Sequence, residues 1–228
     1  MNKPLKHRRI RSFVRREGRL TDGQQRALDE HWPIYGLDRE NGQLDLGKCF
    51  ERKAPCTLEI GFGNGQTLFD QAKANPDIDF VGIEVYKTGC ARLLRDAADA
   101  GLSNLKVYCD DAVEVIDQCL PDACIDTVQL YFPDPWHKKR HHKRRLVQTE
   151  FANKIAGILK PGGRWLLATD WQNYAEHMLE VLNPHPAFEN LSRSGDYVPR
   201  PPERAETRFE RRGLDRGHGV WDLAFAKR

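Results

Sequence analysis

The side chains best placed to do chemistry stand between Val128 and Arg145, in the run V-Q-L-Y-F-P-D-P-W-H-K-K-R-H-H-K-R-R. Pro133 and Pro135 fix φ on either side of Asp134 and bias the residues before them away from helix, so a short, stiff loop presents one carboxylate in one orientation. Trp136 adds a flat aromatic surface, either to stack on a base or to seal the loop. From Lys138 to Arg145 the chain carries six positive charges, two histidines and no acid, a composition suited to phosphates. A basic run alone is more often a solvated face. Beside a rigid acid and a tryptophan at a strand end it reads as part of a site, because ligands of open α/β sheets bind at strand ends.

A second candidate is T-L-E-I-G-F-G-N-G, residues 57–65. Gly61, Gly63 and Gly65 let the backbone turn sharply and come close to a ligand, and the helix that follows offers free N–H groups. The spacing is G-x-G-x-G; in the dinucleotide fingerprint the third glycine would fall at Gln66, so that match fails by one residue. Glu59 would also repel a pyrophosphate and suits a cationic ligand. Glu84 lies 19 residues after Gly65, an offset at which an acid in a βαβ unit bonds both hydroxyls of a ribose. Asp110 and Asp111 precede a further helix, where one caps its first turn or accepts a bond from an adenine amine.

These residues need strands to hold them. Apolar runs predict strands at 57–61, 79–85, 105–109, 125–132, 164–169, 188–192 and 219–226, with helices at 24–32, 66–74, 87–100, from 112, at 144–159 and at 173–182. Leu93, Leu94, Ala97 and Ala98 mark the apolar side of the third of these. Residues 33–53 are turn-rich, and Lys160-Pro161-Gly162-Gly163 predicts a turn. Strands alternating with helices imply a parallel α/β sheet. Glu59, Gly61, Gly63, Glu84, Asp111, Asp134 and Asp170 then all fall at or just past strand ends and share one rim. The loop from Tyr197 to Gly217, with T-R-F-E at 207–210, is too long to be filler.

At 228 residues the chain is expected to form one domain, residues 21–228, behind a basic, flexible arm of residues 1–20 that is either a solubilising tail or a phosphate contact. No apolar run approaches a membrane span and the arginine-rich start lacks a secretion signal, so the protein is expected in the cytoplasm. The six cysteines contain no C-x-x-C pair, and His137, His141 and His142 sit among cations that repel a metal, so neither zinc nor disulfides are expected. The net charge of +3 conceals +7 over residues 1–19 and +6 over 138–145. Basicity confined to two patches on an otherwise acidic chain suits a polyanion held at a defined place.

Through E-I-G-F-G-N-G, G-I-E-V, D-D-A and F-P-D-P-W the sequence resembles the class I S-adenosylmethionine-dependent methyltransferases. F-P-D-P-W-H-K with the basic run, then K-P-G-G, A-T-D and T-R-F-E, narrows the resemblance to the bacterial tRNA (guanine-N7)-methyltransferases, over nearly the whole chain. The resemblance implies a Rossmann-like α/β fold, a mostly parallel seven-stranded sheet with an antiparallel last strand and helices on both faces. It also implies methyl transfer from S-adenosylmethionine to N7 of a guanine in the variable loop of tRNA, position 46, with no membrane, metal or obligate protein partner. It assigns Glu59, Gly61, Gly63, Glu84, Asp111 and Asp134 to the cofactor, with Asp134 also catalytic. Lys138, Asp170, Thr207, Arg208, Phe209 and Glu210 fall to the substrate, and Arg140, His141, His142, Lys143, Arg144 and Arg145 to the RNA. The chain departs from the family where Arg208 replaces the usual lysine and Arg204-Ala205 the usual Arg-Pro pair. A nicotinamide dehydrogenase disagrees with the glycine spacing, and a noncatalytic RNA-binding module leaves the acidic rim without a purpose. A methyltransferase acting on another RNA nucleotide is the nearer alternative. An N-P-P-Y motif is absent, and Cys56 precedes the glycine strand, out of place as a nucleophile.

Overall fold

The computed structural model describes residues 12–13, 18–202, 204, 210 and 219–228. Helix α1 (Asp22–Tyr35) starts at a capping box, in which Thr21 and Gln24 exchange side-chain and backbone bonds of 3.3 and 3.0 Å. It runs through Pro33, which cannot donate to the carbonyl four residues before it, and ends two residues later. The two-residue strand β1 (Gly36–Leu37) follows, then a short helix α2 (Leu46–Cys49).

The repeating part comprises β2 (Cys56–Ile60), α3 (Gln66–Ala74), β3 (Asp79–Ile83), α4 (Lys87–Asp99), β4 (Leu105–Tyr108), α5 (Ala112–Cys119), β5 (Ile125–Tyr131), α6 (Thr149–Ile158) and β6 (Leu159–Thr169). Helix α7 (Gln172–Leu182) leads to β7 (Phe188–Asn190), and the chain ends in β8 (Trp221–Lys227). Every residue of β2 and β3 is buried, as expected of parallel strands covered on both faces.

The sheet has the order β1-β4-β3-β2-β5-β6-β8-β7. It is parallel from β1 to β6, and β8 is antiparallel to both its neighbours. The expected seven strands are present, with β1 added as an eighth at the edge beside β4. Two residues are too few to show a hydrophobic period, so β1 could not be read from sequence.

Helices α1, α3 and α4 pack on one face, around Leu68, Phe80, Leu93 and Val107. Helices α5, α6 and α7 pack on the other, around Ile116, Val128, Phe151, Trp165 and Tyr174. On the first face β5, β6 and β8 carry a smaller cluster, Tyr131, Leu166, Ala168 and Ala224, against which Phe132 and Val198 pack. The chain grows outward from β2 to β4, then α5 returns it to β5 on the other side of β2. That reversal opens a crevice at the carboxyl ends of β2 and β5.

Two boundaries differ from the sequence reading. Residues Lys139–Arg144 form a 3₁₀ turn, and α6 begins only at Thr149. Arg145 is extended, φ −56° and ψ 135°, because its side chain is anchored in the protein. The turn at Lys160-Pro161-Gly162-Gly163 lies inside β6 as an irregularity: Ile125 pairs with Leu159, yet Thr127 pairs with Arg164.

Candidate active site

A cleft of about 390 Å³ lies in that crevice, within the roughly 300–1,000 Å³ usual for small-molecule sites. Five of the six residues assigned to a cofactor line it: Gly61, Gly63, Glu84, Asp111 and Asp134. Ile60, Ile83, Leu130 and Phe132 give it apolar walls. The glycine loop follows β2 with φ of 74°, 61° and 77° at Gly61, Gly63 and Gly65, conformations that glycine adopts without a steric cost. A β-carbon at Gly89, in the first turn of α4, would overlap the carbonyl oxygen of Gly63. The helix therefore comes down directly on the loop.

Glu84 holds this arrangement together. One oxygen accepts the Gly63 N–H at 2.8 Å, and the other accepts Val85 and Tyr86 N–H groups at 2.7 and 3.1 Å. Burial raises its pKa, and the backbone donors oppose that rise. Oε2, which accepts one bond, keeps a lone pair for a ligand hydroxyl, whereas Oε1 already accepts two. Asp111 is the N-cap of α5, accepting Val113 N–H at 3.0 Å. Asp110, which also lines the cleft, accepts Arg39 at 2.9 Å and the Asp111 N–H at 2.7 Å.

Glu59 is elsewhere. It is 4% exposed, does not line the cleft, and its Oε2 has no hydrogen-bond partner among the described residues. It stands in register between Gly82 of β3 and Gln129 of β5. Burial first and Glu84 second push its carboxyl up to about 8, so it is mainly neutral at pH 7 and supplies little charge to a cation.

Asp134 stands exposed at the mouth of the cleft and makes no hydrogen bond among the described residues. Partial desolvation by the cleft wall raises its pKa, and His137 opposes this. Its loop lies between two non-glycine residues with positive φ, Phe132 at 51° and Trp136 at 48°. Such conformations cost on the order of 1–3 kcal/mol each and persist where neighbours over-determine them. Here the neighbours are identifiable: Phe132 N–H bonds Ala168 O at 2.8 Å, and Arg145 Nε bonds Pro135 O at 2.9 Å.

Arg145 was grouped with the RNA contacts, and the structure assigns it another task. It is 2% exposed. Besides Pro135 O, its guanidinium donates to Asn173 Oδ1 at 2.7 Å and Asn173 O at 3.2 Å, and it lies 4.8 Å over the Tyr174 ring. These bonds join the loop to α7 and leave Arg145 little exposed, although it also borders a basic groove. Lys138, Arg140 and Lys143 are exposed, and His141, His142 and Arg144 partly so. Lys143 and Arg144 line a second groove, about 320 Å³, which shares Ser12, Asp111 and Leu146 with the cleft.

Of the substrate candidates, Asp170 follows β6 and lines a shallow hollow with Trp171, whose ring packs edge-on against His137 at 4.2 Å. Thr207, Arg208 and Phe209 lie outside the described residues. Glu210 is 3% exposed and bound to Arg204, which also bonds Asp222 of β8. Arg204 is completely buried between these acids, 5.6 Å over the Phe132 ring. This cluster was missed. The signal was the Pro/Arg-rich loop itself, since an arginine there needs a carboxylate on the sheet if it is to be buried.

The family profile described as "Putative methyltransferase" matches residues 53–223. The tRNA (guanine-N(7)-)-methyltransferase of Idiomarina loihiensis is 58% identical over 96% of this chain and 89% of its own length. The enzyme of the same name from Edwardsiella ictaluri is 57% identical over 96% of this chain and 92% of its own. Among solved structures, the 16S rRNA methyltransferase KamB superposes with a TM-score of 0.58 at 16% identity, over 81% of this chain and 95% of that one. The [4+2]-cyclase SpnF superposes at 0.53 and 17% identity, over 90% and 79%. These last two likenesses show the fold alone, and one of them hosts a different chemistry.

Proposed function

The chain belongs to the family of tRNA (guanine-N(7)-)-methyltransferases, and from that membership we infer that it methylates N7 of a guanine in the variable loop of tRNA, with S-adenosylmethionine as donor. The cleft at the sheet reversal carries the reading. It joins an acid suited to ribose, an acid at a helix start suited to an adenine amine, a glycine loop, and a half-desolvated carboxylate at its mouth. When bound, S-adenosylmethionine supplies an electrophilic methyl group on a sulfonium. Gly61 and Gly63 admit the donor's backbone-hugging part, Glu84 takes the ribose hydroxyls, and Asp111 faces the base. Glu59, buried outside the cleft beside Glu84, is better cast as a core group than as a direct contact.

Guanine N7 carries an in-plane lone pair, so no proton has to be removed before transfer. The residues must align the base and offset the positive charge that develops on the purine. Asp134 fits both needs, because a carboxylate pairs with guanine's N1–H and amino donors and compensates the charge. Asp170, on the same rim, and the 207–210 segment would contact the substrate. Lys138, Arg140, His141, His142, Lys143 and Arg144 would meet RNA phosphates. The described residues form one body around one sheet, which supports a single catalytic domain behind the arm. No helix of the described residues is long and apolar enough to cross a membrane, and they contain no His, Cys, Asp and Glu group that could hold a metal.

Incubation with labelled S-adenosylmethionine and unmodified tRNA, followed by nuclease mapping, tests the reading. The label should appear on one guanine of the variable loop. Label on another nucleotide would favour the alternative RNA target.

A further inference from the structure

Two residues of the arm, Ser12 and Phe13, line the cleft together with Glu84, Asp111 and Asp134. Ser12 also lines the basic groove with Lys143 and Arg144. Its carbonyl oxygen accepts the indole Nε1–H of Trp136 at 2.9 Å, across 124 positions of sequence. On the same indole, the Arg144 guanidinium lies 4.6 Å over the ring and the His141 ring stands edge-on at 5.9 Å and 88°. Trp136 therefore touches the arm, through its single donor, and the basic run, through its ring, while its own φ of 48° fixes where both must meet.

We propose that Ser12 and Phe13 complete the donor pocket and that Trp136 couples their docking to RNA held on the basic run. This rests on the reading of the cleft as the S-adenosylmethionine site. Ordering Ser12 and Phe13 costs backbone entropy that their contacts must offset, so added contacts in the cleft favour the docked arm. A donor in the cleft adds contacts to Phe13 and shifts that balance toward docking. Ser12 lines both the cleft and the basic groove, so docking places it at the wall the two share. RNA that engages Arg144 and His141 steadies the indole that holds Ser12. The coupling is reciprocal: each ligand tightens the other by the same factor.

The test measures S-adenosylmethionine affinity by calorimetry on the full chain, and tRNA affinity with and without S-adenosylhomocysteine, which permits no turnover. Wild type should bind the donor, and S-adenosylhomocysteine should tighten tRNA about 5-fold or more. Phe13→Ala and Trp136→Phe should each weaken the donor about 5- to 20-fold and bring the coupling factor to about 1, within the range such couplings span. Phe13→Tyr, which keeps the ring, should restore both. Affinity for tRNA alone should change less than about 2-fold in Phe13→Ala, because the ring is not a phosphate contact. Wild-type donor affinity and coupling in Phe13→Ala would overturn the proposal and leave the cleft's assignment standing. Failure of wild type to bind the donor at all would overturn both.

Discussion

Asp134 meets the cleft with its carboxylate uncommitted among the described residues, so its work falls to the ligand. Asp134→Asn keeps the shape and removes the charge. Turnover should fall about 100-fold, the scale of losing one group aimed at developing charge, while donor affinity changes less than about 3-fold. Equal losses in both would assign Asp134 to binding. Glu59 offers a pH test. Its carboxyl is raised to about 8 in the folded chain, against an ordinary 4.5. Below about 4.5 both states hold the proton. Between about 4.5 and 8 the folded state keeps it and the unfolded state releases it, so stability declines as pH rises, and above 8 the cost is complete. Glu59→Gln lacks this slope, so its Tm should gain on wild type from pH 5 to about pH 8 and level off by pH 9 in calorimetric scans. A Tm difference independent of pH would mean that Glu59 is ionised throughout. Much of this was visible in the sequence, because acids past strand ends reach one rim whatever the side-chain detail. The orientation of Glu59 was not visible. Period 2 in a strand sends alternate residues to opposite faces, and a strand buried on both faces such as β2 hides which face holds the odd acid.

At the level of elements, the arginines of one basic run divide into two jobs. Arg140 is exposed, and Arg140→Ala should leave Tm unchanged and flatten the salt dependence of tRNA binding by about 0.7–0.9 in slope. Arg145 binds the Asp134 loop to α7, and Arg145→Ala should do the reverse, lowering Tm with the salt slope intact. A changed slope in Arg145→Ala would return it to the RNA. Arg204 bonds both Asp222 of β8 and Glu210. Arg204→Ala strands two buried acids, so about 3–5 kcal/mol of stability should be lost, with Tm falling roughly 2–4 °C per kcal/mol. The sequence foretold the order of strands and helices well, since each spans several hydrophobic periods. It failed where one side chain decides the backbone. Arg145 is anchored with an extended backbone and α6 starts at Thr149 rather than residue 144, and no propensity records such an anchor.

Across the whole molecule, charge and redox state follow from composition. None of the six cysteines is in a disulfide, so Tm should be the same with and without reductant. A reductant-dependent Tm would indicate a bridge formed in solution. The acidic cleft and the basic groove share a wall at Ser12, Asp111 and Leu146, so the anionic substrate is drawn to the edge of the negatively charged pocket rather than into it. The sheet order has one more consequence. The last strand, β8, is wedged between β6 and β7, and β7 pairs with nothing else in the sheet. A nascent chain emerging at roughly 5–20 residues per second therefore spends seconds with β6 as a raw edge between the making of Asn190 and that of Trp221. A message cut short before codon 221 would leave a polypeptide bearing the complete donor cleft and basic groove, yet with an unclosed sheet and no Asp222. Such a product, with β6 unpaired along one edge, is a natural target for proteolysis.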